Sequence, residues 1–172
     1  MRKISRKIKT IVCIVIFLLL FLSYFSTVKA GKSLSLRTSV LTRHWESNKK
    51  YNNSQGLIGL EFRKGESSIG VNYFENSYEN DAYYVFIGRN LANISFNTKN
   101  HLKIKLTGGI IGGYKKENIS EHALKVYDQK FLVVIPVIGL QHNLTERYSL
   151  TLETSLLGDV GFISTSGIKI NF

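Results

Sequence analysis

The sequence predicts an all-β fold, an eight-stranded antiparallel up-and-down transmembrane β-barrel. Three observations carry that expectation. Eight segments separated by polar turns read as strands, most of them alternating apolar with polar side chains, the period of a strand with one oily and one wet face. The chain opens on a basic stretch followed by an apolar run, the pattern of an export signal. It closes on an alternating strand whose last residue, Phe172, lies on the oily parity.

Residues 1–9 carry five positive charges and no acid, and residues 11–22 are continuously apolar. Val28-Lys29-Ala30 then sets small residues at the −3 and −1 positions of a cut. We expect a signal peptide over 1–30 and a mature barrel over 31–172. The other reading is an uncleaved anchor, helped by Tyr24 and Phe25, but the run is short of the ~20 residues of a spanning helix. Cleavage would remove six of the 23 basic residues and none of the 12 acids, leaving 17 against 12, a net +5. Most of the basicity is then a targeting signal, and no nucleic-acid partner is expected. Cys13 lies in the apolar run, so the mature chain has no cysteine and no disulfide framework.

The eight segments are 34–43, 56–63, 68–75, 82–89, 102–112, 131–141, 148–157 and 161–172. Each is close to the ~9–11 residues that a tilted strand needs to cross a bilayer. Eight strands make the smallest closed membrane barrel. In the second segment Ile58, Leu60 and Phe62 share one parity while Glu61 and Arg63 share the other. The third repeats this with Ile69, Val71 and Tyr73, and the fourth with Tyr83, Val85 and Ile87. In the fifth, Leu102, Ile104 and Leu106 alternate with Lys103 and Lys105; in the seventh, Leu150 and Leu152 flank Thr151. Charges confined to one parity suit a barrel with oil outside and a polar lumen. A soluble barrel would invert the faces; the parity is the same for both, and the two chain ends favour the membrane.

An even strand number puts both ends on the periplasmic side, so the outer connections are 44–55, 76–81, 113–130 and 158–160. The inner ones are 64–67, 90–101 and 142–147, of which 90–101 is unusually long. Within the third outer loop, 120–127 could form a short turn of helix. The final strand sets Phe162, Ile168, Ile170 and Phe172 against Thr165, Gly167, Lys169 and Asn171. It resembles the last strand of bacterial outer-membrane barrels, in which a terminal Phe is the assembly signal. That resemblance implies the barrel-assembly machinery as a partner, an outer-membrane location and a monomer. A C-terminal edge strand of a soluble sandwich is the alternative.

His44-Trp45, Tyr51-Asn52, Gly56-Leu-Ile-Gly59 and Phe74-Glu-Asn-Ser77 all fall at the outer rim in this topology. Lys105-Leu-Thr-Gly-Gly109 and Val133-Val-Ile-Pro-Val-Ile-Gly-Leu140 follow downstream. Together they resemble the lipid A palmitoyltransferase (PagP) family. The resemblance implies transfer of a fatty acyl chain from phospholipid to lipid A, with both lipids as partners and no cofactor. His44 would be the general base, Ser77 the nucleophile or polar stabiliser, and Asn76 the third member. Tyr51, Asn52 and Pro136 would serve lipid access, Pro136 by weakening its strand ladder. Two departures stand out: no amphipathic helix precedes the first strand, and Asn76 replaces the family's Asp. A carboxylate there would orient the imidazole and stabilise its charged form. The alternative function is a non-catalytic barrel of the same build with a surface or lipid-binding role.

Strand parity is a further constraint. If both strands stay regular, His44 shares the outward face of Leu36 and Val40, and Ser77 that of Val71 and Tyr73. A bulge or an early strand end would release them. Each residue also has a plainer reading: His44-Trp45 as an interfacial pair, Asn76-Ser77 as turn chemistry, and Pro136 as a bulge site. His101, His122 and His142 lie in separate connections without metal-ligand spacing, so no metal is expected.

Overall fold

A computed structural model describes residues 31–45, 56–119, 123–157 and 161–172. The expected signal peptide, Tyr51 and Asn52 lie outside these residues. The strands are β1 (Lys32–His44), β2 (Ile58–Lys64), β3 (Ser67–Glu75), β4 (Asp81–Ser95), β5 (Asn100–Gly112), β6 (Leu124–Tyr127), β7 (Lys130–Asn143), β8 (Tyr148–Leu156) and β9 (Gly161–Asn171). All except the short β6 join one antiparallel ring, in the order β1-β2-β3-β4-β5-β7-β8-β9, and β9 closes on β1. This is the expected eight-stranded up-and-down barrel.

The closing seam runs from Ser33↔Asn171 to His44↔Gly161. Phe172 extends it by two backbone bonds, its N–H donating to the Lys32 carbonyl (2.9 Å) and its carbonyl accepting from the Lys32 N–H (3.1 Å). Its ring faces outward, like Ile168. Every strand of the ring contributes to an exposed apolar belt, which includes Leu36, Leu60, Val71, Val85, Ile104, Leu140, Leu152 and Ile168. Water would penalise so much exposed oil, at roughly 25 cal/mol per Å²; hydrocarbon would not. The mouth that carries residue 31 and Phe172 has the short turns, and the opposite mouth has the long loops, the periplasmic and external ends of such barrels.

Two expectations need correction. The inner connection 90–101 is not long: β4 continues to Ser95 and β5 starts at Asn100. A bulge at Leu91 shifts the register between Asn90 and Ala92, which breaks the alternation without ending the strand. Asn97 then builds the turn, its Oδ1 accepting from the Lys99 and Asn100 N–H groups. In the third outer loop, residues 124–127 of the suggested helical turn form strand β6, which folds back on Lys130–Leu132 of β7; among the described residues of the loop the helical turn is the 3-10 segment Lys116–Asn118.

The lumen has two layers. At mid-height Glu61 sits between cations. It accepts from Lys105 Nζ (2.8 Å) and Arg63 Nη2 (3.1 Å) and pairs with Arg37 Nη1 (3.1 Å). Glu153 accepts from Arg37 (2.7 Å) and Lys105 (3.0 Å). Buried charges persist only when paired and hydrogen-bonded in this way. The Phe86 ring covers the network, with the Arg37 guanidinium 5.4 Å from its centroid and Tyr84 stacked beyond it at 5.1 Å. Outward of Phe86 the expected polar lumen gives way to an apolar one. Leu57, Phe74, Ile111, Phe131, Ile135 and Ile163 are buried together there, and Val137, the register partner of Lys105, joins the same cluster.

Candidate functional site at the outer rim

The site begins with a bulge in β1. Pairing with β9 shifts between Ser39 and Leu41, so Val40 and Leu41 are both exposed while Thr42 is buried at 3 %. The inward parity thus passes from Arg37 to Thr42 and His44, and the histidine turns from the lipid face toward the lumen. On β3 the release comes from an early strand end at Glu75. The chain then turns over 76–80, with Glu79 in the left-handed region (φ 59°), and both Asn76 and Ser77 are buried.

These two deviations bring His44 Nε2 within 2.6 Å of Ser77 Oγ. The tautomer decides which of the two donates. With Nε2 unprotonated, the hydroxyl donates to it and the serine oxygen becomes a better nucleophile. Trp45, next in the chain, stays exposed with its ring 5.5 Å from that of Phe162.

Asn76 has a different set of bonds from the one the family's Asp would supply. Its Oδ1 accepts from the N–H groups of Tyr78 (2.9 Å) and Asn80 (3.2 Å). Its Nδ2 donates to the Gly113 carbonyl (2.8 Å) across the start of β4. Gly113 can sit there because it has φ +91° and no Cβ; a Cβ would meet the Asp81 carbonyl oxygen at 2.2 Å. The amide therefore holds the turn that presents Ser77, and its side-chain bonds are made to the loop, not to the imidazole. Asp81, the carboxylate at the start of β4, accepts from the Tyr73 hydroxyl (2.6 Å). Burial, and to a smaller extent the neighbouring Tyr78, push the Tyr114 phenol up in the loop beside this turn.

Pro136 lies exposed on β7 opposite Leu106 of β5. On its other side the β7–β8 ladder spans Val137↔Ser155 to Asn143↔Ser149, so it stops one residue short of the proline. β6 pairs only with Lys130–Leu132. Among the described residues, 133–136 therefore have no registered strand partner on the β8 side. This wall backs onto the apolar lumen at Ile135 and Val137. The strict-alternation reading missed those lumen residues. The available signal was apolar content on both parities in the outer strand halves, as in 133–138, where every residue is apolar and 134, 136 and 138 face out.

No family model and no curated protein matches the chain. Several solved structures do. Neisserial surface protein A is 10% identical with a TM-score of 0.53, covering 83% of this chain and 97% of that one. The attachment invasion locus protein Ail of Yersinia pestis is 16% identical, with 84% and 100% covered and a TM-score of 0.47. The N-terminal β-barrel domain of Pseudomonas aeruginosa OprF is 10% identical, with 83% and 98% covered and a TM-score of 0.46. Such identities speak to fold alone. The likeness to neisserial surface protein A, with the closed strand ring and the exposed apolar belt, makes this chain an eight-stranded β-barrel of the outer-membrane type.

Proposed function

We propose that this barrel is a non-catalytic lipid-binding protein of the outer membrane, which takes the acyl chain of an outer-leaflet lipid through its β7 wall. The observation that carries the reading is the apolar outer lumen behind residues 133–136. Barrels of this kind commonly keep polar interiors, and an apolar section facing the outer leaflet favours a hydrocarbon guest. Where the ladder to β8 has ended, the wall can part with few backbone bonds to break. Each buried methylene of a guest chain contributes about 0.8 kcal/mol. Native mass spectrometry of the barrel released from membranes is expected to show one retained phospholipid or lipid A molecule. In Val137→Asn an unpaired amide costs about 1–3 kcal/mol, so occupancy should fall by roughly ten- to a hundredfold. Equal retention by both proteins, or none by either, would contradict the reading.

The His44–Ser77 contact favours a second reading, acyl transfer to lipid A. In it His44 Nε2 takes the Ser77 proton as Oγ attacks the phospholipid ester. The ester C–O bond then breaks, and His44 returns the proton to the departing glycerol oxygen. A lipid A hydroxyl next attacks the acyl-serine, with His44 as base, and frees Ser77. Asn76 keeps a structural part, as anchor of the turn.

A further inference from the structure

The periplasmic mouth holds a cavity of about 740 Å³ that neither reading uses. Arg63, Lys103 and Lys169 line it, together with Asn90 and, at the exposed rim, Glu66 and Glu146. Five cations project into the lumen (Arg37, Arg63, Lys103, Lys105 and Lys169) against two carboxylates, Glu61 and Glu153. Both carboxylates are already engaged by Arg37 and Lys105, and Glu61 by Arg63 as well. Lys103 and Lys169 share a single neutral acceptor, Gln141 Oε1. Two ammonium groups side by side on one amide oxygen repel each other.

The second observation concerns Arg63. It is 9% exposed, and its Nη2 is bonded to Glu61, but its Nη1 is buried and has no hydrogen-bond partner in the protein. Asn90 Oδ1, in the lining of the same cavity, is likewise buried and unpaired. An oxyanion would answer these features together: it accepts from a planar guanidinium and from two ammoniums, and a protonated phosphate oxygen would donate to Asn90. Cations held this close with too few acids form an anion site.

We propose that the periplasmic mouth is a binding site for a phosphate-class oxyanion, held by Arg63, Lys103 and Lys169. The anion is either free phosphate or the phosphate of an inner-leaflet lipid headgroup, since both reach this mouth. The site stands apart from the outer rim, so its fate does not depend on the lipid reading above.

The test uses the folded barrel in a non-ionic detergent and in vesicles. Inorganic phosphate is titrated against sodium chloride of matched ionic strength, following the urea unfolding midpoint and the phosphorus-31 linewidth of the added phosphate. A midpoint that rises with phosphate and not with chloride, together with line broadening, supports a free-anion site. Stabilisation in phosphatidylglycerol vesicles relative to phosphatidylcholine, without a response to inorganic phosphate, assigns the headgroup. In Lys103→Gln/Lys169→Gln the affinity for whichever probe binds is expected to fall by at least about tenfold, because two of three charge-assisted contacts are gone. If that variant does not fold, the phosphorus-31 titration of the unaltered protein decides. No phosphate-specific effect and no headgroup effect in the unaltered barrel would overturn the proposal, as would undiminished binding by the folded double variant.

Discussion

Deletion of Phe172 is expected to reduce the folded, heat-modifiable barrel in the membrane by more than an order of magnitude. The residue closes the seam by two reciprocal backbone bonds to Lys32, and its exposed ring continues the outward apolar row of β9. Each such bond contributes about 1 kcal/mol net in water. A loss of about 2 kcal/mol shifts an equilibrium by roughly thirtyfold. At a sheet edge in lipid, unsatisfied groups cost more still. If the assembly machinery reads the terminal aromatic, as we propose, deletion also slows insertion. Shortening the β6 hairpin, which lies outside the closed ring, should leave folded levels nearly unchanged. Comparable losses from both changes would show that the seam has no special role.

For the transferase reading, the expected result is a lipid A population heavier by one acyl chain in cells that make this barrel, lost in His44→Ala. General-base removal lowers rates by about 10²–10⁴-fold, and Ser77→Ala should match it if the hydroxyl is the nucleophile. Asn76→Asp separates the two roles of that position. The family resemblance alone expects a rate gain from a restored carboxylate. The observed bonds lead to the opposite expectation: an aspartate loses the donor to the Gly113 carbonyl and sets a negative charge beside that oxygen. The turn presenting Ser77 should loosen by about 1–3 kcal/mol with no gain in rate. Unmodified lipid A in the presence of the unaltered barrel leaves the non-catalytic reading alone.

Much of the barrel was legible in the alternation of β2, β3, β8 and the closing strand. One buried face forces period 2 and leaves little freedom of register. The failures share a cause. Bulges at Val40 and Leu91 each insert one residue, and a parity argument passes straight through an insertion without detecting it. At Leu91 this hid the lower part of β4; at Val40 a bulge was one of the two expected ways to release His44, but parity could not place it. The candidate site was legible as a set of residue types at the rim, since topology alone gathers His44 and Ser77 there. Of Asn76 only the turn chemistry was legible, because its partner, the Gly113 carbonyl, is remote in sequence and leaves no mark on local pattern. The apolar outer lumen was hidden because Ile135 and Val137 look the same in sequence as their lipid-facing neighbours.

Acyl contact with the lumen is measured most directly by photo-crosslinking in native membranes. The probe is a phosphatidylethanolamine with a diazirine near its acyl terminus, and the adducts are mapped by peptide mass spectrometry. Adducts are expected on the inward residues Tyr84, Ile135 and Val137, in addition to the outward belt. Adducts confined to outward residues such as Val134, Ile138 and Leu140 would contradict a lipid guest in the lumen.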